Sequence, residues 1–239
     1  MRRALVTGGT STLGEAISRR LAADGLHVLV HAHARLARAE ALAAAIRESG
    51  GSAEALQFDL ADFAATAAVL APVLDAGVPQ VIVHNAGTHD DVPFAGMAEA
   101  QWRGVLDVSL GGFYAVLRPL ILPLIGTRWG RVVAVSSVSA LMGNRGQVAY
   151  AAAKAGLIGA VKSLAREVAS RGVTVNAIAP GIIASPAVDA AIDAKRIAEV
   201  VPMRRAGRPE EVAELIAFLA SDRAAYITGQ VVSINGGMA

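Results

Sequence analysis

Apolar residues in this chain follow two alternating patterns, which predict alternating strands and helices. Short continuous apolar runs predict buried strands over residues 3–6, 27–31, 53–58, 80–83, 131–136, 173–178 and 230–234. Stretches with helical periodicity or composition predict helices over residues 15–23, 36–48, 63–74, 99–125, 150–169 and 209–219. The fourth helix is expected to bend or break near Gly111, Gly112 and Pro119.

Strands that alternate with helices are typical of parallel βαβ units. The pattern therefore predicts an α/β fold with a doubly wound, Rossmann-type parallel sheet of about seven strands and helices on both faces. A chain of 239 residues fits one large domain, so residues 1–239 are expected to form a single one. Residues 185–208 are polar, contain proline and carry isolated charges, which favours a lid over a binding site.

Composition narrows the expected partners. The formal net charge is only +2 and the basic residues are scattered, so neither nucleic acid nor an anionic membrane is expected. Mean hydropathy is high at +0.48, but the longest uncharged run, residues 172–188, contains prolines and a glycine, which argues against a membrane helix. The absence of cysteine excludes disulfides and a cysteine metal site, and no metal is expected. A cytoplasmic protein is the simplest inference.

Polar and glycine-rich segments follow several of the predicted strands. Thr7-Gly8 to Gly14 joins the first strand to a helix, and such a turn lets a phosphate approach the backbone, although most glycine turns are only turns. Asp59, Asn85 and Pro180-Gly181 follow the third, fourth and sixth strands. Because the carboxyl ends of parallel strands share one edge of the sheet, these residues are expected at a common ligand-binding edge.

Tyr150 and Lys154 form a candidate pair for proton transfer. Positions four apart lie on the same face of a helix, so the phenol and the ammonium should project into one pocket. A fixed cation favours the phenolate and would lower the pKa of Tyr150. Ser137, at the end of the fifth strand, could hold a substrate oxygen against Tyr150. On spacing alone, most such pairs are ordinary surface or core residues.

The ordered set of motifs resembles the short-chain dehydrogenases/reductases over essentially the whole chain. The matching residues are Thr7, Gly8, Gly14, Asp59, Asn85, Ala86, Gly87, Ser137, Tyr150, Lys154, Asn176, Pro180 and Gly181. Segments 143–156, 163–172 and 225–238 are most similar to the β-ketoacyl-[acyl-carrier-protein] reductase branch. The resemblance implies reduction of 3-oxoacyl thioesters, held on an acyl carrier protein, in fatty-acid, polyketide or aryl-polyene biosynthesis.

The resemblance also implies roles for individual residues. Tyr150 would be the general acid, Ser137 would orient the carbonyl oxygen, and Lys154 would bind the cofactor ribose and lower the pKa of Tyr150. Cofactor contacts would come from Gly8, Thr10, Ser11, Thr12, Leu13, Gly14, His33, Arg35, Asp59, Leu60, Asn85, Ala86, Gly87, Tyr150, Lys154, Pro180, Gly181, Ile183 and Ser185. Asp59 would bind the adenine, or instead cap a helix. Asn85 and Ile183 are also plausible as turn and packing residues.

Two residues depart from the family pattern. Thr12 stands where the family has glycine or alanine, and a β-branched residue resists the backbone geometries that glycine permits. Ser109 stands at the fourth catalytic position, where the family has asparagine. A serine hydroxyl could still hold the relay water of the family mechanism. We expect slower turnover rather than none.

The end of the second strand, His31 to Arg35, favours NADPH over NADH. It carries no carboxylate for a ribose hydroxyl, and Arg35, with His33, could meet a 2′-phosphate, although Ser11 stands where the branch often has a second arginine. The resemblance further maps carrier-protein docking onto Arg128 and Arg171. It also implies a homotetramer, to which the small residues of helix 150–169 would contribute: Ala151, Ala152, Ala155, Gly156, Gly159 and Ala160.

Two other functions stay open from the sequence. A small-molecule alcohol or sugar dehydrogenase of the same fold would act on free substrates and make no use of Arg128 and Arg171. A weakly active, nucleotide-binding structural subunit would account for Thr12 and Ser109.

Overall fold

The computed structural model describes all residues, Met1–Ala239. Its strands are β1 (Arg3–Thr7), β2 (His27–Ala32), β3 (Ser52–Gln57), β4 (Pro79–His84), β5 (Gly130–Val135), β6 (Val173–Pro180) and β7 (Val231–Ile234). Its helices are α1 (Thr12–Ala23), α2 (Leu36–Glu48), α3 (Phe63–Asp75), α4 (Glu99–Leu106), α5 (Gly112–Gly126), α6 (Ser139–Met142), α7 (Val148–Val168), α8 (Pro186–Ala191), α9 (Ala194–Val200) and α10 (Pro209–Leu219). Every strand predicted from the sequence is present.

The seven strands form one parallel sheet in the order β3-β2-β1-β4-β5-β6-β7. Successive residues of a strand point to opposite faces, and in β1 both faces are apolar: Ala4 and Val6 join one core cluster, whereas Leu5 joins the other. Helices α1, α2 and α10 cover the first face, and α3, α5 and α7 cover the second. The predicted doubly wound α/β fold is therefore confirmed.

The long helix predicted over residues 99–125 is interrupted next to Gly111 and Gly112, as expected, but not at Pro119. A π-helical segment, Asp107–Gly111, separates α4 from α5, so the irregular part begins before Gly111. Pro119 lies inside α5 and does not end it. A π segment adds a residue to the turn and is often found at functional sites. Here it carries Ser109.

The carboxyl ends of the strands lie at one edge of the sheet, as the parallel topology requires. Thr7, His84 and Val135 are the last residues of β1, β4 and β5. The segment expected to act as a lid, residues 185–208, contains two short helices, α8 and α9, above this edge. Its lid role stays a prediction.

Two helical stretches, Glu99–Gly126 and Val148–Arg171, are long and apolar enough to cross a membrane by length and composition alone. Each of these stretches contains charged residues, so neither coincides with the longest uncharged run, residues 172–188. Their apolar residues, including Val116, Leu120 and Leu157, belong to the core against the sheet. Core helices of soluble proteins pass the same test, so this apolarity carries little weight as a sign of a membrane.

Candidate active site

Two elements, β5 and α7, bring together the residues expected to carry the chemistry. Ser137 follows β5, and Tyr150 and Lys154 lie one turn apart near the start of α7. The Ser137 hydroxyl interacts with the Tyr150 phenol and also accepts a hydrogen bond from the Ser139 amide at 3.1 Å. The ammonium of Lys154 lies 5.7 Å from the centre of the Tyr150 ring. The three side chains therefore form one site, as the sequence predicted.

Lys154 is a buried cation with only 2% of its surface exposed. Its Nζ donates to the backbone oxygen of Val135 at 2.8 Å, and its own carbonyl accepts from Ser136 Oγ at 2.8 Å. Burial lowers the pKa of Lys154 to about 8, and no neighbouring carboxylate offsets this effect. An unpaired buried charge is costly and is typical of a functional site.

The pKa of Tyr150 is higher than that of a free phenol, which differs from the expectation that Lys154 lowers it. Burial is the largest cause, because it disfavours the phenolate; the Ser137 hydroxyl acts in the opposite direction, and the Asp91 carboxylate raises the pKa further. Lys154 is not among the causes. Tyr150 is therefore protonated at neutral pH, as a general acid must be.

Ser109 lies near Lys154, on the other side of Gly87. It is fully buried, and its Oγ accepts from the Thr88 amide at 3.2 Å. Gly87 stands between the two side chains: a Cβ built on Gly87 would lie 2.9 Å from Lys154 Nζ and 3.3 Å from Ser109 Oγ. A side chain at residue 87 would thus fill the space between the hydroxyl and the ammonium.

The glycine turn after β1 is shaped to let a ligand approach the backbone. Gly8 has a φ of +61°, and a Cβ there would press on Ala86. A Cβ on Gly14 would collide with the Gly8 carbonyl, so α1 packs against the turn only because residue 14 is glycine. Ser11 caps α1 by accepting from the Gly14 amide at 3.0 Å. This cradle fits a dinucleotide phosphate at a helix start.

Thr12 is compatible with the cradle. It is the first residue of α1, is exposed and has a negative φ, so no glycine geometry is needed at this position. The concern that a β-branched residue would strain the turn is therefore removed. Thr10 lies in the turn itself, and Leu13 packs against the core.

Residues at neighbouring strand ends brace the turn. Asn85 Nδ2 donates to the carbonyl oxygens of Thr7 and Gly8, both at 3.0 Å, which is the turn role weighed from the sequence. Asp59 Oδ1 accepts from the Ala61 amide at 2.9 Å within the turn after β3, and its Oδ2 lies 3.6 Å from His33 Nε2. The alternative that Asp59 caps a helix is wrong, because the residue that caps α3 is Asp62. Leu60 is buried, with its side chain beside Gly112 of α5. No contact here tests the adenine role of Asp59.

The remaining predicted cofactor residues also lie at this edge. His33 and Arg35 follow β2, where His33 is exposed and Arg35 immediately precedes α2. Pro180 ends β6, and the Gly181 amide donates to Ile234 in β7. Ile183 forms a bridge with Gly207, and Ser185 caps α8.

Arg128 and Arg171 lie at the opposite edge of the sheet. They precede β5 and β6, respectively, so they flank the amino ends of strands whose carboxyl ends face Tyr150. Gly172, beside Arg171, packs on the Arg128 carbonyl, so the two arginines belong to neighbouring turns. In one chain, these residues are therefore separate from the catalytic site.

Two buried histidines support the site and were not predicted as functional from the sequence. His31 Nδ1 accepts from the Gly8 amide at 3.0 Å, and its Nε2 donates to the Phe58 carbonyl at 2.9 Å. His84 Nε2 donates to the Ser109 carbonyl at 3.0 Å. Burial lowers the pKa to about 4 for His31 and about 3 for His84. In the sequence, the feature that could have indicated them is that each histidine lies at or near the end of an apolar strand.

Comparison with known proteins agrees with this geometry. A family model described as enoyl-(acyl carrier protein) reductase matches residues 8–239. The 3-oxoacyl-[acyl-carrier-protein] reductase FabG of Aggregatibacter actinomycetemcomitans is 44% identical over 236 residues, which cover 98% of each chain. FabG of Staphylococcus aureus is 40% identical over 238 residues, covering 98% of this chain and 97% of its own. The 3-oxoacyl-[acyl-carrier-protein] reductase of Synechocystis sp. is 40% identical over 237 residues, covering 98% and 96%.

The chain therefore belongs to the short-chain dehydrogenase/reductase family, and a nicotinamide cofactor follows from that membership. Within the family it is an oxidoreductase similar to the 3-oxoacyl-[acyl-carrier-protein] reductases. The family and enzyme class predicted from the sequence are confirmed. The roles of single residues stay predictions.

The lowered pKa of Lys154 predicts an alkaline limit to reduction. The ammonium loses its charge as pH rises through about 8, whereas Tyr150, with its raised pKa, keeps its proton. We expect the turnover number for reduction to be level at neutral pH and to fall above about pH 8, because a neutral amine no longer stabilises the phenolate left by proton transfer. Steady-state rates between pH 6 and 10 measure this. A profile level to pH 10 would contradict it.

Proposed function

We propose that this protein reduces 3-oxoacyl thioesters, carried on an acyl carrier protein, to 3-hydroxyacyl thioesters with NADPH. The observation that carries the proposal is the junction of Ser137, a protonated Tyr150 and a buried Lys154 at the sheet edge. The substrate class comes from the FabG relatives, which match nearly the whole chain. Exposed apolar residues on segments after the strand ends, namely Phe94, Met142 and Met203, suit an acyl chain.

The chain's own groups would divide the reaction among them. Ser137 would hold the substrate carbonyl oxygen, and Tyr150 would donate its phenolic proton to it. Lys154 would stabilise the resulting phenolate, and a water held by Ser109 beside Gly87 would connect Lys154 to solvent. The nicotinamide, when bound, supplies the hydride.

The choice of NADPH rests on the end of β2. No carboxylate lies in residues 31–35, so nothing there would repel a 2′-phosphate. Arg35 immediately precedes α2, and its side chain is exposed and makes no hydrogen bond or ion pair, so its guanidinium is available for such a phosphate. His33 lies beside Asp59, which makes it the weaker of the two candidates.

The first test follows NADPH and NADH oxidation with 3-oxoacyl, 2-enoyl and free-ketone substrates. We expect turnover with the 3-oxoacyl thioester and NADPH, and Tyr150→Phe should lower it at least about a thousandfold while NADPH still binds, because only the transferable proton is lost. The 2-enoyl substrate is included because the matching family model is described as enoyl-(acyl carrier protein) reductase. Preference for free ketones would favour an alcohol or sugar dehydrogenase, and no turnover at all would favour a structural subunit.

The docking role of Arg128 and Arg171 requires a second copy of the chain. Strand β5 has six residues, so its two ends lie about 20 Å apart, with Arg128 at one end and the site at the other. Helices α5 and α7 both run from the carboxyl edge to the amino edge. If two copies pair antiparallel through these helices about a two-fold axis, the arginines of one copy lie beside Tyr150 of the other.

The exposed faces of α5 and α7 support this pairing. On α7, Ala152, Ala155 and Gly159 are exposed, and on α5, Tyr114 and Leu122 are 55% and 68% exposed. The other small residues behave differently: Ala151, Gly156 and Ala160 are half-buried, and Gly156 packs on Leu110. Residues at edge strand β7 would supply the second contact of a tetramer.

The docking prediction uses Arg128→Gly and Arg171→Gln. Arg128 has a φ of +58°, so glycine removes the guanidinium and also relieves backbone strain. We expect KM for a carrier-bound substrate to rise about fivefold or more, with a neutral N-acetylcysteamine thioester unaffected. Arg19→Gln on α1, which removes an exposed arginine from the opposite helical layer, is the control.

Docking between copies also predicts how mixtures of these variants behave. Mixed assemblies of Tyr150→Phe chains with chains carrying both arginine changes should recover carrier-dependent activity, because each mixed pair retains one intact site facing intact arginines. If mixing restores nothing, the arginines do not act across copies.

The assembly prediction uses Gly159→Glu. A Cβ on Gly159 meets nothing within 4 Å in its own chain, and glutamate favours a helix more than glycine does, so the fold of one copy should be unharmed. Light scattering should show about four times the 24.4 kDa chain mass for the unmodified protein and a smaller species for the variant. Ala41→Glu, on the exposed face of α2, should leave the assembly unchanged. An unmodified monomer with full activity would contradict this prediction.

A further inference from the structure

His84 is a fully buried imidazole beside the site, outside the reaction steps proposed above. Its Nε2 lies 3.0 Å from the Ser109 carbonyl oxygen, and its Nδ1 lies 3.4 Å from Thr7 Oγ1. A carbonyl oxygen only accepts hydrogen bonds, so Nε2 carries the proton and Nδ1 is left as an acceptor. The ring also packs edge-on against Phe113, with 5.6 Å between ring centres.

The surroundings of His84 keep it neutral. Burial is the largest reason for its pKa of about 3, and the positive charge of Lys154 adds to the effect. The Ser109 carbonyl acts in the opposite direction, and His31 contributes a small further lowering. The Nε2–H donor is therefore present throughout the pH range in which an enzyme of this kind works.

Thr7 fixes the other side of the ring. Its Oγ1 accepts from the backbone amides of Asn85 at 3.1 Å and Ala86 at 3.0 Å. With both amides directed at this oxygen, the hydroxyl proton is free to point to His84 Nδ1. The ring thus connects the end of β1 to the π-helical segment that carries Ser109.

That segment has contacts outside its own helix that can fix its position. A π turn is a local interruption of helical geometry, and a buried carbonyl without a partner there would be costly. Besides the His84 bond to the carbonyl of Ser109, the Ser109 hydroxyl contacts Thr88, at 3.2 Å from its amide and 3.4 Å from its carbonyl. The hydroxyl then faces Lys154 across Gly87.

We propose that His84 is a positioning residue for Ser109: its Nε2–H holds the Ser109 carbonyl and so fixes the hydroxyl relative to Lys154 Nζ. The inference rests on the proposed function, because the place of Ser109 affects turnover only if Lys154 exchanges protons through it. A serine hydroxyl is short, so a small shift of the π segment breaks its contact with a relay water.

Two amide substitutions that differ in reach test this proposal. In His84→Gln the side-chain NH2 can reach the position of Nε2, whereas in His84→Asn it is one carbon too short. We expect the Gln variant to keep kcat within about threefold, and the Asn variant to lose about tenfold or more in kcat with less than about a twofold change in KM. Should the Asn variant not fold, His84→Phe fills the same volume without a donor. Equal kcat for the Gln variant and the variant lacking a donor in reach would overturn the proposal.

Coupling to Ser109 separates positioning from a general loss of stability. In a Ser109→Ala background, His84→Asn should have little further effect on kcat, because the group that it positions is absent. Ile82→Val, which removes a buried methylene from the same strand, should lower the melting temperature and leave kcat unchanged. If the His84→Asn loss multiplies undiminished with that of Ser109→Ala, His84 does not act through Ser109.

A measurement without substrate distinguishes failure of the His84–Ser109 contact from failure of the proposed function. If the unmodified protein reduces no thioester, the proposed function fails. Amide hydrogen exchange over Asp107–Gly111 then tests whether His84 holds the segment that carries Ser109. The Asn variant should exchange faster there and the Gln variant should not. Equal exchange in both variants would show that His84 does not hold this segment.

Discussion

The carboxyl edge of the sheet is built around one uncompensated charge, the Lys154 ammonium. Its contacts are neutral: the Val135 carbonyl accepts a hydrogen bond from it, and the centre of the Tyr150 ring lies 5.7 Å away. A cation in such a place is tolerable only if the surrounding backbone is fixed, and three strand ends and the start of α7 fix it here. The same burial brings the pKa of Lys154 near the working pH and keeps Tyr150 protonated. The shifted pKa values of Lys154 and Tyr150 are thus mainly a consequence of desolvation.

Neutral groups hold this edge together because further charges would compete with Lys154. His31 and His84 each use one ring nitrogen as a donor to a carbonyl and the other as an acceptor, so each joins segments distant in sequence without adding a charge. Asn85 does the same for the glycine turn. Glycines 8, 14 and 87 contribute by lacking a side chain, since a Cβ at any of them would fill space at the turn or beside Lys154. The site is therefore shaped as much by close backbone approach as by its reactive groups.

In the proposed function, the two edges of the sheet have different roles. Chemistry belongs to the carboxyl edge, whereas Arg128 and Arg171 mark the amino edge, separated by the length of the strands. Helices α5 and α7 extend between the edges and expose small or apolar residues along one side. A second copy would give those faces a partner and unite a docking edge with a catalytic edge, which gives the assembly a physical reason beyond family resemblance.

Local pattern in the sequence determined the elements and their order. Apolar runs located all seven strands, and helical periodicity placed α2 and α10 at their observed bounds, because both signals depend on residues close in the chain. The spacing of Tyr150 and Lys154 and the strand-end motifs likewise indicated the site, since parallel strands must end together. Tertiary structure decided what depends on distant contacts. Burial raises the pKa of Tyr150, and Thr12 causes no strain because it is the first residue of α1. Arg128 is separated from the site because it precedes β5, whereas the site lies at the other end of that strand. The contacts of His31 and His84 are visible only in the tertiary structure. A histidine in an apolar run shows neither which carbonyl its ring will donate to nor how far burial will lower its pKa.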